Sequence, residues 1–274
     1  MSQFHVMAGG QEDICDVKVR RIAMTDVTSS LRLGFDDFWS KPSHYVFLCL
    51  IYPVAGIVLA YWTSGANALP LLFPLMSGFA LIGPVAALGL YEISRRREQG
   101  LDTSWKHAFE VRHSPAIPAI LAVGVMLMAI FILWLVTAQT LYASMFGADI
   151  PLSLPTFLSE IFTTAKGWQL ILYGNAIGFL FSLAVLSTTV VAFPLLLDRD
   201  VGAAAAVMAS IRAFVTNPLE LLTWGLIVAA LLFAGFALLF AGLAIVIPVL
   251  GHATWHLYRR LIVPTGGKTG VINT

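Results

Sequence analysis

From Leu221 through Tyr258 the chain carries no Asp, Glu, Lys or Arg. As one straight helix that run would measure roughly 57 Å at about 1.5 Å per residue, against a hydrocarbon core about 30 Å thick. It must therefore fold back. Gly235 and Gly242 are its weak points, and a turn near Phe240 to Gly242 leaves two segments of sufficient length. The apolar runs at 45–62, 69–91, 115–138 and 168–197 each fit one further crossing. The expectation is an all-α, polytopic membrane helix bundle of six transmembrane helices. With 58% hydrophobic and 11% charged residues, a chain of 274 residues lacks the polar surface of a water-soluble globule.

The cations test that count, because cytoplasmic loops keep an excess of Lys and Arg. Six spans with both termini cytoplasmic place Lys18, Arg20, Arg21, Arg32 and Lys41 inside, followed by Arg95, Arg96, Arg97, Lys106 and Arg112. Arg199 and Arg212 follow, then Arg259, Arg260 and Lys268. Asp149, Glu160 and Lys166 are the charges left outside, and all six histidines fall at or near the inner side. Residues 1–30 read as a polar, flexible cytoplasmic segment without a secretory signal, 31–263 as the membrane domain and 264–274 as a cytoplasmic tail. Cys15 and Cys49, one in the leader and one in the first span, are expected to be free thiols.

The polar segments repeat. Ser40-Lys41-Pro42, His113-Ser114-Pro115 and Thr216-Asn217-Pro218 each end an amphipathic stretch with a proline suited to the first turn of a helix. The preceding stripes are Leu31, Phe35, Phe38 and Trp39; Leu101, Trp105, Ala108 and Phe109; and Val201, Ala204, Met208, Ile211 and Val215. Each inward span carries a kink position eleven residues before an arginine: Pro84 and Arg95, Thr188 and Arg199, Pro248 and Arg259. Three repeats of interfacial helix plus transmembrane hairpin are expected, at 31–91, 100–197 and 201–262. The outer connection 139–167 is the long one, with a surface helix over TFLSEIFTTAK.

His252 and His256 stand at i and i+4, the spacing with which two imidazoles grip a metal or haem, or hydrogen-bond headgroups, water or a neighbouring helix. No HExxH, GxSxG, CxxC or phosphate loop is present, so neither an enzyme nor a resident cofactor is expected. Arg95, Arg96, Arg97, Trp105, Arg199, Arg259 and Arg260 are candidate contacts for lipid or a membrane partner. Asn175, Ser182 and Thr189 form a stripe on the fourth span that suits either a polar path or close packing. Nothing suggests a nucleic-acid partner.

LIGPVAALGLYEISRRREQG, FPLLLDRDV, NPLELLTWG and IPVLGHATWHLYRR, in that order, resemble a bacterial family of predicted integral membrane proteins of unknown function. The resemblance covers residues 31–263 and implies a six-span inner-membrane protein. Two functions stand open: a non-catalytic scaffold, assembly or accessory subunit, and a transporter or channel for a small neutral or lipidic solute. A redox or metal role through His252 and His256 is the third.

Overall fold

The computed structural model describes residues 17–40, 61, 69–71, 73–75, 83–147, 153–238 and 241–264. Cys15, Cys49, Pro42, the span at 45–62 apart from Tyr61, and residues 72 and 76–82 of the span at 69–91 lie outside the described residues. The described chain is helical, with no strand beyond an isolated bridge between Val19 and Ile262. In order the helices are α1 (Met24–Ser40), α2 (Gly83–Ala86), α3 (Leu88–Glu98), α4 (Ile117–Phe146), α5 (Leu154–Thr163), α6 (Ala165–Thr189), α7 (Ala192–Asp198), α8 (Ala203–Thr216), α9 (Pro218–Ala237) and α10 (Leu243–Leu261). Two 3-10 segments, Leu69–Leu71 and Trp105–His113, join them.

The uncharged run does fold back. α9 ends at Ala237 and α10 begins at Leu243, and Gly235 is the hinge's packing point: a Cβ there would lie 2.7 Å from Leu243 Cδ2. Among the described residues three stretches are long and apolar enough to cross a membrane: Ile117–Phe146, Ala165–Asp198 and Pro218–Ala237. The expected span at 115–138 is longer than its apolar core required, because helix continues through Tyr142 to Gly147, whose φ of 77° ends it. The long connection thereby shrinks to residues 147–164. Its surface helix is α5, capped by the Ser153 hydroxyl, and it turns into α6 at a corner where a Cβ on Gly167 would sit 2.1 Å from the Ile161 carbonyl oxygen.

The fourth expected span, 168–197, is broken rather than continuous. α6 stops at Thr189 and α7 starts at Ala192; Pro194 cannot donate to the carbonyl of Val190 four residues back. At the same break the buried Val191 N–H donates to the Ser210 hydroxyl of α8, at 3.2 Å. Ser210 shares a buried face with Ala205, Ala206, Ala209 and Ala213, small residues that let the helices approach. Of the stripe read from sequence, Ala204, Met208 and Val215 are exposed, whereas Val201, ahead of the helix, is buried and Ile211 is half-buried. The stretch 101–113 differs: 101–104 are not helical, and 105–113 form a 3-10 segment rather than an α-helix. On α1 the buried face is Val27, Ser30, Gly34, Asp37 and Phe38, while Phe35 and Trp39 stack in the open with ring centroids 5.7 Å apart.

Order reaches ahead of the expected boundary at residue 31. Val17 and Val27 are buried, the Arg20 N–H donates to the Leu261 carbonyl at 2.7 Å, and the Val263 N–H donates to the Lys18 carbonyl at 3.0 Å. Asn217, buried where α8 meets α9, accepts from the Ile22 N–H at 2.9 Å and donates to the Arg20 carbonyl at 3.0 Å. One amide side chain thus fastens the N-terminal segment beside the end of α10.

Candidate functional site

The polar segments that the sequence assigns to one side meet on one face. α1, α3 and α10 come together there at two glycines: a Cβ on Gly34 would lie 2.5 Å from the Ala253 nitrogen, and one on Gly251 would lie 2.6 Å from Leu90 Cδ1. That proximity places Asp37, Ser94, His252 and His256 in one buried cluster. The Ser94 hydroxyl donates to Asp37 Oδ2 at 2.8 Å and lies 2.7 Å from His252 Nδ1. An ionised carboxylate only accepts, so the single Ser94 proton goes to Asp37, and His252 must carry its own proton on Nδ1 and donate it to Ser94. His256 Nε2 donates to the same Asp37 oxygen at 2.9 Å, and Arg97 Nε lies 3.3 Å from Oδ1.

Burial works to raise the Asp37 pKa, but the His256 hydrogen bond, the two imidazoles and the Ser94 hydroxyl together hold it below its ordinary value. With Ser94 1% exposed, His252 fully buried and His256 half-buried, the cluster acts as a knot between three helices. His252 and His256 therefore hydrogen-bond neighbouring helices. Among the described residues no group of three or more His, Cys, Asp or Glu has the arrangement of a metal site. Sequence reasoning did not single out Asp37 or Ser94. The signal available was the spacing of Ser30, Gly34 and Asp37, small and polar residues on one face of the helix.

Four other arginines, Arg96, Arg199, Arg259 and Arg260, join separate segments, and Arg95 pairs within α3. Arg95 holds Glu92 with two hydrogen bonds of 2.7 and 2.8 Å; Arg96 reaches Glu110 at 3.1 Å and the Asp102 carbonyl at 2.8 Å. Arg199 donates to the Val263 carbonyl at 2.5 Å, and Arg260 to Asp26 at 2.5 Å. Arg259 lies 3.0 Å from Glu98 and 3.4 Å from Asp198, so one guanidinium joins the C-terminal ends of α3, α7 and α10. Trp105 opens the 3-10 segment. The stripe on α6 is divided: Asn175 and Ser182 are exposed, Thr189 is buried, and the Asn175 amide and Thr189 hydroxyl donate to their own helix at Ile171 and Val185, both at 2.7 Å.

Beside the knot an open cleft of about 760 Å³ runs between α3, the 3-10 segment, the start of α4 and the end of α7. Its carboxylates Glu92, Glu110 and Asp198 already face Arg95, Arg96 and Arg259. Lys106 and Arg112, both exposed, enter no ion pair among the described residues. His107, on the same segment, faces the carboxylates of Glu110 and Asp102 at 2.7 and 2.9 Å; both only accept, so the pair favours the protonated imidazole that donates from both nitrogens and raises its pKa.

Residues 72–198 match the model of a family described as a predicted integral membrane protein (DUF2189). The matched stretch holds the walls of the cleft except Arg199 and Asp200, and excludes α1 and α10. No curated protein and no solved structure matches the chain. With its apolar helices and this match, the chain is an integral membrane protein.

Proposed function

We propose that this chain is a non-catalytic scaffold, assembly or accessory subunit of the bacterial inner membrane, built as six spans in three repeats with both termini in the cytoplasm. The repeat reading is supported by equivalence of position: Arg95, Arg199 and Arg259 each stand at the inner end of an inward helix, and Arg259 ties together the three helices concerned. The inward face is taken as cytoplasmic because it holds nearly all the cations.

The scaffold reading rests on one observation above the rest. On the basic face Arg96, Arg199, Arg259 and Arg260 fasten one segment to another, while the Asn175 and Thr189 side chains of α6 bond to their own helix. What such a molecule offers to others is surface: apolar flanks on α4 and α9, and the charged inner face. Purification of the full chain at native expression in mild detergent, followed by mass spectrometry, is expected to recover specific membrane proteins in stable proportion. Substituting Arg112 and Arg212 with Glu should reduce that recovery without lowering expression. A chain that repeatedly purifies alone overturns the proposal.

A further inference from the structure

The 3-10 geometry of Trp105–His113 has a consequence an α-helix would not. With three residues per turn, side chains at i, i+3 and i+6 stand in one column, so Lys106, Phe109 and Arg112 align along the wall of the cleft. In an α-helix the same three would fan around the axis. Phe109 is 51% exposed between the two cations, and the axial span from Lys106 to Arg112 is roughly 12 Å at about 2 Å per residue, which two long flexible side chains can close.

The cleft's charge points the same way. Three of its carboxylates are engaged by arginines, and Asp200 is the one left without an ion pair among the described residues, against two such cations. The cleft also opens at the right depth: Pro115 and Ala116 line it immediately before α4 begins its apolar run at Ile117. A ligand seated there has its charged part beside Lys106 and Arg112 and its apolar part along Phe109 and the start of α4. Cationic side chains at this level attract anionic headgroups, at about 1 kcal/mol per residue near the surface.

We infer that the cleft is a binding site for the phosphodiester headgroup of an anionic phospholipid, held by Lys106 and Arg112 with Phe109 against its glycerol and upper acyl region. The site needs the cleft and not a protein partner, so it stands whether or not the scaffold reading does. Native mass spectrometry of the full chain in detergent tests it with phosphatidylglycerol, zwitterionic phosphatidylcholine and soluble glycerol phosphate as probes. The expected result is retention of phosphatidylglycerol at least tenfold tighter than phosphatidylcholine, lost in K106Q/R112Q and kept in R212Q, which removes an exposed cation on α8. D200N should strengthen retention, a gain that misfolding does not produce. Equal retention of the two lipids, an unchanged preference in K106Q/R112Q, an equal loss in R212Q, or no gain in D200N each overturns the site. Displacement of the lipid by glycerol phosphate at matched concentration assigns the cleft to a soluble phosphate ester and overturns the lipid assignment.

Discussion

Gly34→Ala adds one methyl where the structure has no room for it. The new carbon would lie 2.5 Å from both the nitrogen and the Cβ of Ala253, in the middle of α10, so no side-chain rotation relieves the contact. Reaching the 3.4 Å at which ordinary contact begins requires α1 and α10 to part by 3.4 − 2.5 = 0.9 Å. Asp37 lies less than one turn further along α1, and the same parting would stretch its 2.9 Å bond to His256 to about 3.8 Å, beyond hydrogen-bond range. Overpacking costs about 1–3 kcal/mol and loss of a charged hydrogen bond about 1.5–3; alanine returns about 1 through helix propensity. The net is a loss of about 2–5 kcal/mol. Gly124→Ala is the control, since nothing lies within 4 Å of a Cβ there and only the propensity gain remains. Thermal unfolding in detergent, followed by tryptophan fluorescence, should show a clearly lowered midpoint for G34A and an unchanged or slightly raised one for G124A. Equal midpoints would refute the claim that close approach at Gly34 builds the knot.

Asn217→Ala removes the acceptor of the Ile22 N–H and the donor to the Arg20 carbonyl; trypsin should then cut at Lys18, Arg20 or Arg21 several times faster, and an unaltered rate counts against the fastening role. Ser210→Ala strands the buried Val191 N–H at the break between α6 and α7, for a loss of about 1–3 kcal/mol in the same unfolding assay, whereas a neutral effect would mean that the break is satisfied otherwise. The His107 pKa is raised by Glu110 and Asp102, so the stabilisation from their pairing is complete below the ordinary value of 6.5 and is lost as pH climbs through the higher folded value. An NMR titration of His107 should give a midpoint above 6.5 that falls in E110Q and in D102N; a midpoint at or below 6.5 in the unmodified chain contradicts the pairing.

The sequence disclosed the one-sided face because the bilayer imposes it: a charge left in hydrocarbon is costly, so Lys and Arg placement along the chain reports where each segment emerges. It disclosed the reversal at Gly235 and Gly242 for the same reason, since 38 uncharged residues exceed one crossing. His252 and His256 were legible as a pair on one face, but not their partner. That Asp37 stands opposite them depends on Gly34 meeting Ala253 across 219 positions of sequence, and only the packed structure brings these together. The 3-10 winding of 105–113 escaped notice because its stripe of Leu101, Trp105, Ala108 and Phe109 fits an α-helical period equally well. The break at Val191 is marked in sequence only as a kink position at Thr188, since nothing in the pattern pairs its backbone with Ser210 on the following helix.

The knot and the cleft follow from one physical restriction. Polar side chains of a bilayer protein have a narrow layer in which to find partners, so groups distant along the chain are driven to the same depth. Asp37, Glu98, Asp198, His256 and Arg259 come from α1, α3, α7 and α10, and each binds a residue from another helix there. Their mutual satisfaction makes the exceptions informative. A carboxylate with an arginine at about 3 Å has little remaining attraction for a ligand, whereas Lys106 and Arg112 retain theirs in full beside a cleft open to the interface. Substitutions within the knot should therefore act on stability and leave lipid preference unchanged at temperatures where the chain stays folded. Substitutions of Lys106 and Arg112 should do the reverse. A variant such as H256A that lost lipid preference while its unfolding midpoint held steady would show that knot and cleft are one site.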